Sequence, residues 1–249
     1  MAGHSRWANI RHKKAKSDAR RGKIWSKCVR QIMVAARLGG PDPAANLTLR
    51  FAVDEAKAAN VPKDTIERAI KKATGELQAE QYEAVRYEGY GPGGVAVIVD
   101  ALTDNRTRTA PEMRQIFTKY GGNLGATGCV AYLFEQKGVI VIEQSAVDEE
   151  KLMTIALEAG AEDVSADEGL WTVSTAPADY LGVKDAIARA GIEPVSAELT
   201  MVPSTYVMLT GELLQRTVKL IEALEDNDDV QKVYTNMDAS TADLAAAAG

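Results

Sequence analysis

The sequence predicts an α+β protein of three units: an N-terminal helical domain and two α/β sandwich-like domains, one inserted in the other. Three observations lead there. Apolar residues recur at helical spacing up to about residue 75, then alternate as in strands from about Tyr82 onward. Residues 138–203 run strand, helix, strand, strand, helix, strand, which is the β-α-β-β-α-β order of a ferredoxin-like plait. After the plait one strand–helix–strand remains, too little for a further unit, so it is expected to complete the sheet begun at 82–135. The expected divisions are 1–76 for a basic tail and helical domain, 77–136 with 204–238 for a discontinuous α/β domain, 137–203 for the inserted plait, and 239–249 for a disordered tail.

Each element has a local reason. Over 22–38, Ile24, Cys28 and Ile32 fall four apart beside Trp25, Val29, Met33 and Ala36, a helical stripe that "GGPDP" stops. A second helix spans 46–59, with Asn46 as N-cap and Leu49, Ala52, Val53 and Ala56 facing inward. A third begins at Pro62, where Asp64 and Glu67 have capping-box spacing, and Gly75 closes it. "EAVRYEGYGPGGVAVIVDALT" reads as strand, Gly/Pro turn and strand, and the second strand is apolar on both faces and so central. Thr109 and Glu112 make a capping box around Pro111, which predicts a helix with Met113, Ile116, Phe117 and Tyr120 inside. "GCVAYLFE" is read as the next strand, then the plait, then "TYVMLT", a helix over "GELLQRTVKLIEALED" and a last strand in "DVQKVYTNM".

Charge is divided by position. The first thirty residues carry ten cations and one acid, whereas the chain as a whole carries −6, so the remainder sums to −15. A segment so basic in an acidic protein is a candidate for polyanion contact. Its cations are interleaved with Trp7, His12 and Trp25, and aromatic rings stack on unpaired bases while cations hold phosphates. The candidate contacts here are Arg6, Trp7, Arg11, His12, Lys13, Lys14, Lys16, Arg20, Arg21 and Lys23, with 1–21 as a mobile tail and Trp25 assigned to a core. Arg106 and Arg108 in "TDNRTRTAPE" join them, because guanidinium groups beside a helix N-terminus suit phosphate.

Other chemistry is weakly represented. Two histidines, both in the basic segment, make neither a metal site nor a hydrolytic triad, and "GYGPGG" lacks the Lys-Ser/Thr ending of a phosphate loop and reads as a hairpin turn. Cys28 and Cys129 read as buried free thiols. The carboxylates, Asp226, Asp228 and Asp229 among them, read as solvated. The expectation is a non-enzyme without cofactor, metal or small-molecule substrate, in the cytoplasm, with no membrane span, as a monomer or weak dimer.

"AGHSRWANIRHKKAKSDARRGKIWSK", "GYGPGGVAVIVDALTDNRTRTAPEMR" and "GGNLGATGCVAYLF" resemble the signatures of the YebC family over about residues 2–237. The resemblance implies three domains, the third inserted in the second. It also implies nucleic-acid contacts at Arg6, Trp7, Arg11, Lys13, Lys14 and Lys16, and no catalytic residue. Family members are similar to DNA-binding regulators of promoters. Others resemble factors that act on translation at the ribosome, including mitochondrial translational activators of cytochrome oxidase and bacterial factors that relieve stalling at proline-rich stretches. Cys129 departs from the small residue expected there. No DNA-reading motif is evident, and the helices at 46–59 and 62–74 are mixed in charge, so promoter DNA and ribosomal RNA both remain open as partners.

Overall fold

The computed structural model describes residues 18–75 and 82–248. Helix α1 (Asp18–Gly39) packs on α2 (Leu47–Ala58) and α3 (Lys63–Thr74) around Ile32, Ala36, Leu49, Ala56 and Ile66. The helix therefore begins inside the stretch expected to be a mobile tail. Asn46 caps α2 as predicted: its side-chain oxygen accepts from the Leu49 N–H at 3.0 Å, and its amide donates to the Ala35 and Gly40 carbonyls. Trp25 belongs to this core, its indole N–H donating to the Ala59 carbonyl at 3.0 Å. The capping box expected at Asp64 does not form. Pro62 is the N-cap and makes no side-chain bond, so Asp64 lies within the first turn, where its charge favours the helix dipole instead.

The first sheet has the order β3-β1-β2-β9, from β1 (Glu83–Tyr90), β2 (Ala96–Thr103), β3 (Asn123–Leu124) and β9 (Val230–Thr235). β2 is interior, as its two apolar faces predicted, and pairs antiparallel with β1 and β9. Val95, Val97 and Val99 face α4 (Arg106–Lys119) and α7 (Gly211–Asp226) through Met113, Phe117, Val218 and Ile221. The opposite face carries Ala96 and Ile98 against Val130, Phe134, Met201 and Tyr234.

Between β3 and β9 in sequence lies the second sheet, order β5-β6-β4-β7, wholly antiparallel. Its strands are β4 (Phe134–Glu143), β5 (Ala161–Asp167), β6 (Leu170–Thr175) and β7 (Ser196–Pro203). Helices α5 (Glu149–Glu158) and α6 (Tyr180–Arg189) cover one face with Leu152, Ala156, Val183 and Ile187 over Ile140, Ile142 and Val173. This is the ferredoxin-like plait, inserted in the first sheet's unit as expected.

Three elements differ from expectation. "GCVAYLFE" is a turn and a short 3-10 helix, with β4 starting only at Phe134, because the Glu88 carboxylate captures the backbone N–H groups that a strand would need. α4 starts at Arg106, a turn before Thr109. The Asn105 side chain accepts from the Arg108 N–H at 3.1 Å, and Thr109 turns inward, so the Thr109–Glu112 box is not used and Pro111 lies within the helix. The 239–249 tail, expected to be disordered, forms α8 (Thr241–Ala248) beyond a short parallel pair of β8 (Val207–Met208) and β10 (Met237–Asp238). Burial of Ala239 and Leu244 against α7 supplies the reason.

The three units meet at Lys232 on β9. Its ammonium lies 2.9 Å from Glu55 of α2 and 3.7 Å from Glu198 of β7, and donates to the Leu199 carbonyl at 3.3 Å. Burial alone would lower its pKa, but the two carboxylates outweigh this and hold it above the ordinary lysine value. Asp54, beside Glu55, pairs with Lys184 of α6 at 2.7 Å, and Phe51 meets Tyr180 with ring centroids 6.3 Å apart. Removing one member of such a pair strands the others in a half-dry site. Lys232→Ala is expected to lower stability by about 3 kcal/mol in chemical denaturation; unchanged stability would remove Lys232 from this role.

Candidate nucleic-acid interface

Most of the predicted contacts, Arg6, Trp7, Arg11, His12, Lys13, Lys14 and Lys16, lie outside the described residues. Arg20 and Arg21 fall in the first turns of α1. The structure then divides the basic head. Lys23, Lys27 and Arg30 fall on one face of α1 and dock on the C-terminal end of α7. The Lys23 ammonium lies 2.5 Å from the Asp226 carboxylate, Lys27 donates to the Glu225 carbonyl at 2.7 Å, and Arg30 donates to the Asp228 carbonyl and lies over the Tyr82 ring. A helix C-terminus presents unpaired carbonyls and the negative end of its dipole, so cations are stabilised there. Burial lowers the Lys27 pKa, opposed by Glu225, whereas the hydrogen bond to Asp226 raises that of Lys23. Three of the ten cations thus serve intramolecular docking, Lys23 while still half-exposed, and seven remain in residues 1–21.

Arg106 and Arg108 come together on the first turn of α4. Arg106 is largely exposed, 3.8 Å from Glu83. Arg108 lies between Asp104 at 2.9 Å and Asp229 at 2.8 Å, and both carboxylates raise its pKa, Asp229 foremost. Its guanidinium is therefore already matched by acids rather than open toward solvent anions.

Asp229 was expected to be solvated and is instead buried. Its carboxylate also accepts from the Thr109 hydroxyl at 2.8 Å, and the N-terminus of α4 is fixed in this way to the end of α7. Burial would raise its pKa, but Arg108, Thr109 and Thr103 prevail and hold it below the ordinary range. Arg30, Tyr82, Arg108, Glu112 and Asn227 line a polar cavity of about 350 Å³ beside it.

A second organising carboxylate is Glu88 on β1. One oxygen accepts from the Gly128 N–H at 2.7 Å, the other from Val130 at 2.9 Å and Ala131 at 2.8 Å. Desolvation opposes its ionisation, and these three donors more than offset it, so its pKa is lowered. It fixes the loop from residue 125 to 133. The residues alone gave one signal for this loop, a run without any charge from 121 to 134 in a chain that is 26% charged.

Burial pushes the Cys28 thiol up to about 12, which leaves it unreactive; Cys129 is half-buried, not buried as expected. Among the described residues no group of His, Cys, Asp and Glu is arranged to hold a metal, and no helix is long and apolar enough to cross a membrane.

A basic segment leading into a helix that docks on an acidic α+β body defines a three-unit α+β protein with its charge divided between head and body. Residues 5–76 match the TACO1/YebC protein N-terminal domain and residues 82–237 match the TACO1/YebC second and third domain, so the chain belongs to the TACO1/YebC family. A protein of Geobacter sulfurreducens named probable transcriptional regulatory protein is 54% identical over 244 residues, 98% of each chain. One so named in Treponema denticola is 55% identical over 238 residues, 96% of each. The crystal structure of a conserved hypothetical protein from Aquifex aeolicus superposes with a TM-score of 0.79 at 51% identity, covering 91% of this chain and 93% of that one.

Glu88 and Asp229 both have depressed folded-state pKa values. Their stabilisation is present above the unfolded carboxylate value, near about pH 4, and is lost as pH falls through the lower folded value. Denaturation midpoints are expected to drop steeply between about pH 5 and pH 3, and Asp229→Asn should flatten part of that drop. A wild-type profile flat over this window would contradict the assignment.

Proposed function

We propose that this protein is a cytoplasmic, nucleic-acid-binding regulator of gene expression that holds phosphate backbone through its basic N-terminal segment. The observation that carries the reading is the charge division: seven cations against one acid in residues 1–21, upstream of the helix face that docks on α7. The naming of close relatives as transcriptional regulators supports a regulatory rather than enzymatic role. Arg6, Trp7, Arg11, His12, Lys13, Lys14, Lys16, Arg20 and Arg21 are the principal contacts. Lys23 and Arg106 are exposed enough to join them, and Arg108 positions the helix end from which Arg106 projects.

Those names favour promoter DNA as the target. A second reading, RNA or the ribosome, is favoured by one observation: α2 has Phe51, Asp54 and Glu55 engaged by the plait and by β9. A helix so covered is not free to lie in a major groove, whereas irregular RNA is bound by shape, stacking and charge.

The test is binding by the full chain and by a variant lacking residues 2–16, which keeps α1 entire. If six phosphates are neutralised, duplex affinity should fall about a thousandfold between 50 and 200 mM salt. The truncated protein should bind weakly with a much shallower salt slope; binding unaltered by the truncation would refute the reading. Sequencing the nucleic acid that copurifies at low salt then separates the targets, a defined promoter set against ribosomal RNA.

A further inference from the structure

We infer that an uncharged rim, formed by residues 89–94 and 121–134 at one end of the first sheet, is a second nucleic-acid contact that takes unpaired bases on Tyr132 and Tyr90. The inference rests on the proposed function and assigns it a second, chemically different surface.

The rim is built to hold its shape. β3 pairs with β1 at Gly89–Leu124 and Tyr90–Asn123, the Gly125 N–H donates to the Glu88 carbonyl at 2.8 Å, and the Glu88 carboxylate ties down three further N–H groups. The Tyr90 hydroxyl donates to the Cys129 carbonyl at 3.1 Å and so joins the hairpin to the loop. Glycine is required where the two segments touch: a Cβ at Gly89 would lie 2.4 Å from the Asn123 carbonyl oxygen, and one at Gly122 2.7 Å from that of Tyr90. A buried carboxylate and this close backbone packing fix a loop whose most prominent side chain, Tyr132, is 74% exposed. Tyr90 is 38% exposed.

A rigid, exposed aromatic ring offers a flat face on which another ring can stack. A protein partner would seek a ring surrounded by apolar or occluding contacts. Besides Tyr132 the loop carries Asn123, Gly125, Ala126, Thr127 and Gly128, which are small or backbone-rich. That suits a flat, polar-edged ring: every base has a π-face that stacks on tyrosine without regard to sequence, and small neighbours let the sugar and phosphate come close. The two segments carry no charged residue, and the carboxylate that ties them down, Glu88, is buried and compensated by three N–H donors, which is unusual in a body of charge −15. Without cations of its own the rim offers a duplex little, and Lys119 and Arg216 stand at its edge, the latter 3.9 Å from where a Gly121 Cβ would lie.

The rim adjoins the N-terminal end of α7, where Gly93 meets Leu209, while α1 docks on the C-terminal end of the same helix. The sixteen residues of α7 span about 24 Å.

The experiment measures anisotropy of a labelled short single-stranded RNA and of its duplex with the full chain at several salt concentrations. Tyr132→Ala should weaken single-strand binding at least about 5-fold while leaving duplex binding and the salt slope unchanged. Tyr132→Phe, which keeps the ring, should bind as wild type. Unaltered single-strand binding by Tyr132→Ala, with binding still dependent on residues 2–16, overturns this inference and leaves the proposed function standing. Equal loss on both substrates, or loss in Tyr132→Phe, also overturns it. Binding of neither substrate by the wild-type chain overturns both.

Discussion

Lys232 lies where three independently cored units touch. A lysine ammonium amid β-strands is costly to desolvate, and the cost is met only because Glu55 and Glu198 reach it from two different units. Such an arrangement adds little net free energy over an apolar contact of similar volume, but it tolerates few alternative alignments. A shift of α2 or β7 by a few ångströms leaves a charge unpaired. The neighbouring pair Asp54–Lys184 and the Phe51–Tyr180 contact add to this from the same turn of α2. Thus one turn of one helix sets how the helical unit sits on both sheets.

The same economy of charge governs the basic head. Composition alone makes the first thirty residues a single cationic block. In the folded chain the block has two fates, divided by helical geometry. Lys23, Lys27 and Arg30 recur on one face, and that face meets the carbonyl end of α7. An acidic body with a basic head could bind itself at many places; here the attraction is directed to a helix terminus, so it aligns rather than merely condenses.

Much of this was legible in the residues. The Asn46 cap, the inward stripes of α1 and α2, the two-faced β2 and the plait order were read correctly, because each is written in local spacing or in one strong capping residue. What was missed depends on partners far along the chain. Asp229 sits in an acidic run that reads as solvated, and only folding brings Arg108 and Thr109 to it from some 120 residues away. "GCVAYLFE" has strand-like composition, and Glu88, forty residues earlier, overrides it. Thr109 and Glu112 have correct box spacing, yet Asn105 lies earlier and Thr109 is needed elsewhere. The chain's end looked too small and polar to fold, but Leu244 finds α7. Of the candidate interface, the cationic excess was plain, its division was not, and the rim was visible only as a run without charge.

The order of strands in the first sheet sets an order of events in time. β2 has one neighbour, β1, a few residues before it and the other, β9, more than 120 residues later. On the ribosome the plait can close on itself as soon as β7 emerges, since all four of its strands are then present. The first sheet cannot, and neither can α1 find its seat, because β9 and the end of α7 are made only after the whole plait. Until residue 235 or so has left the tunnel, β2 presents an unpaired apolar edge and α1 keeps its full row of cations unmatched. This chain therefore becomes whole from the plait outward, and α1, made before the plait, is set in place only after it.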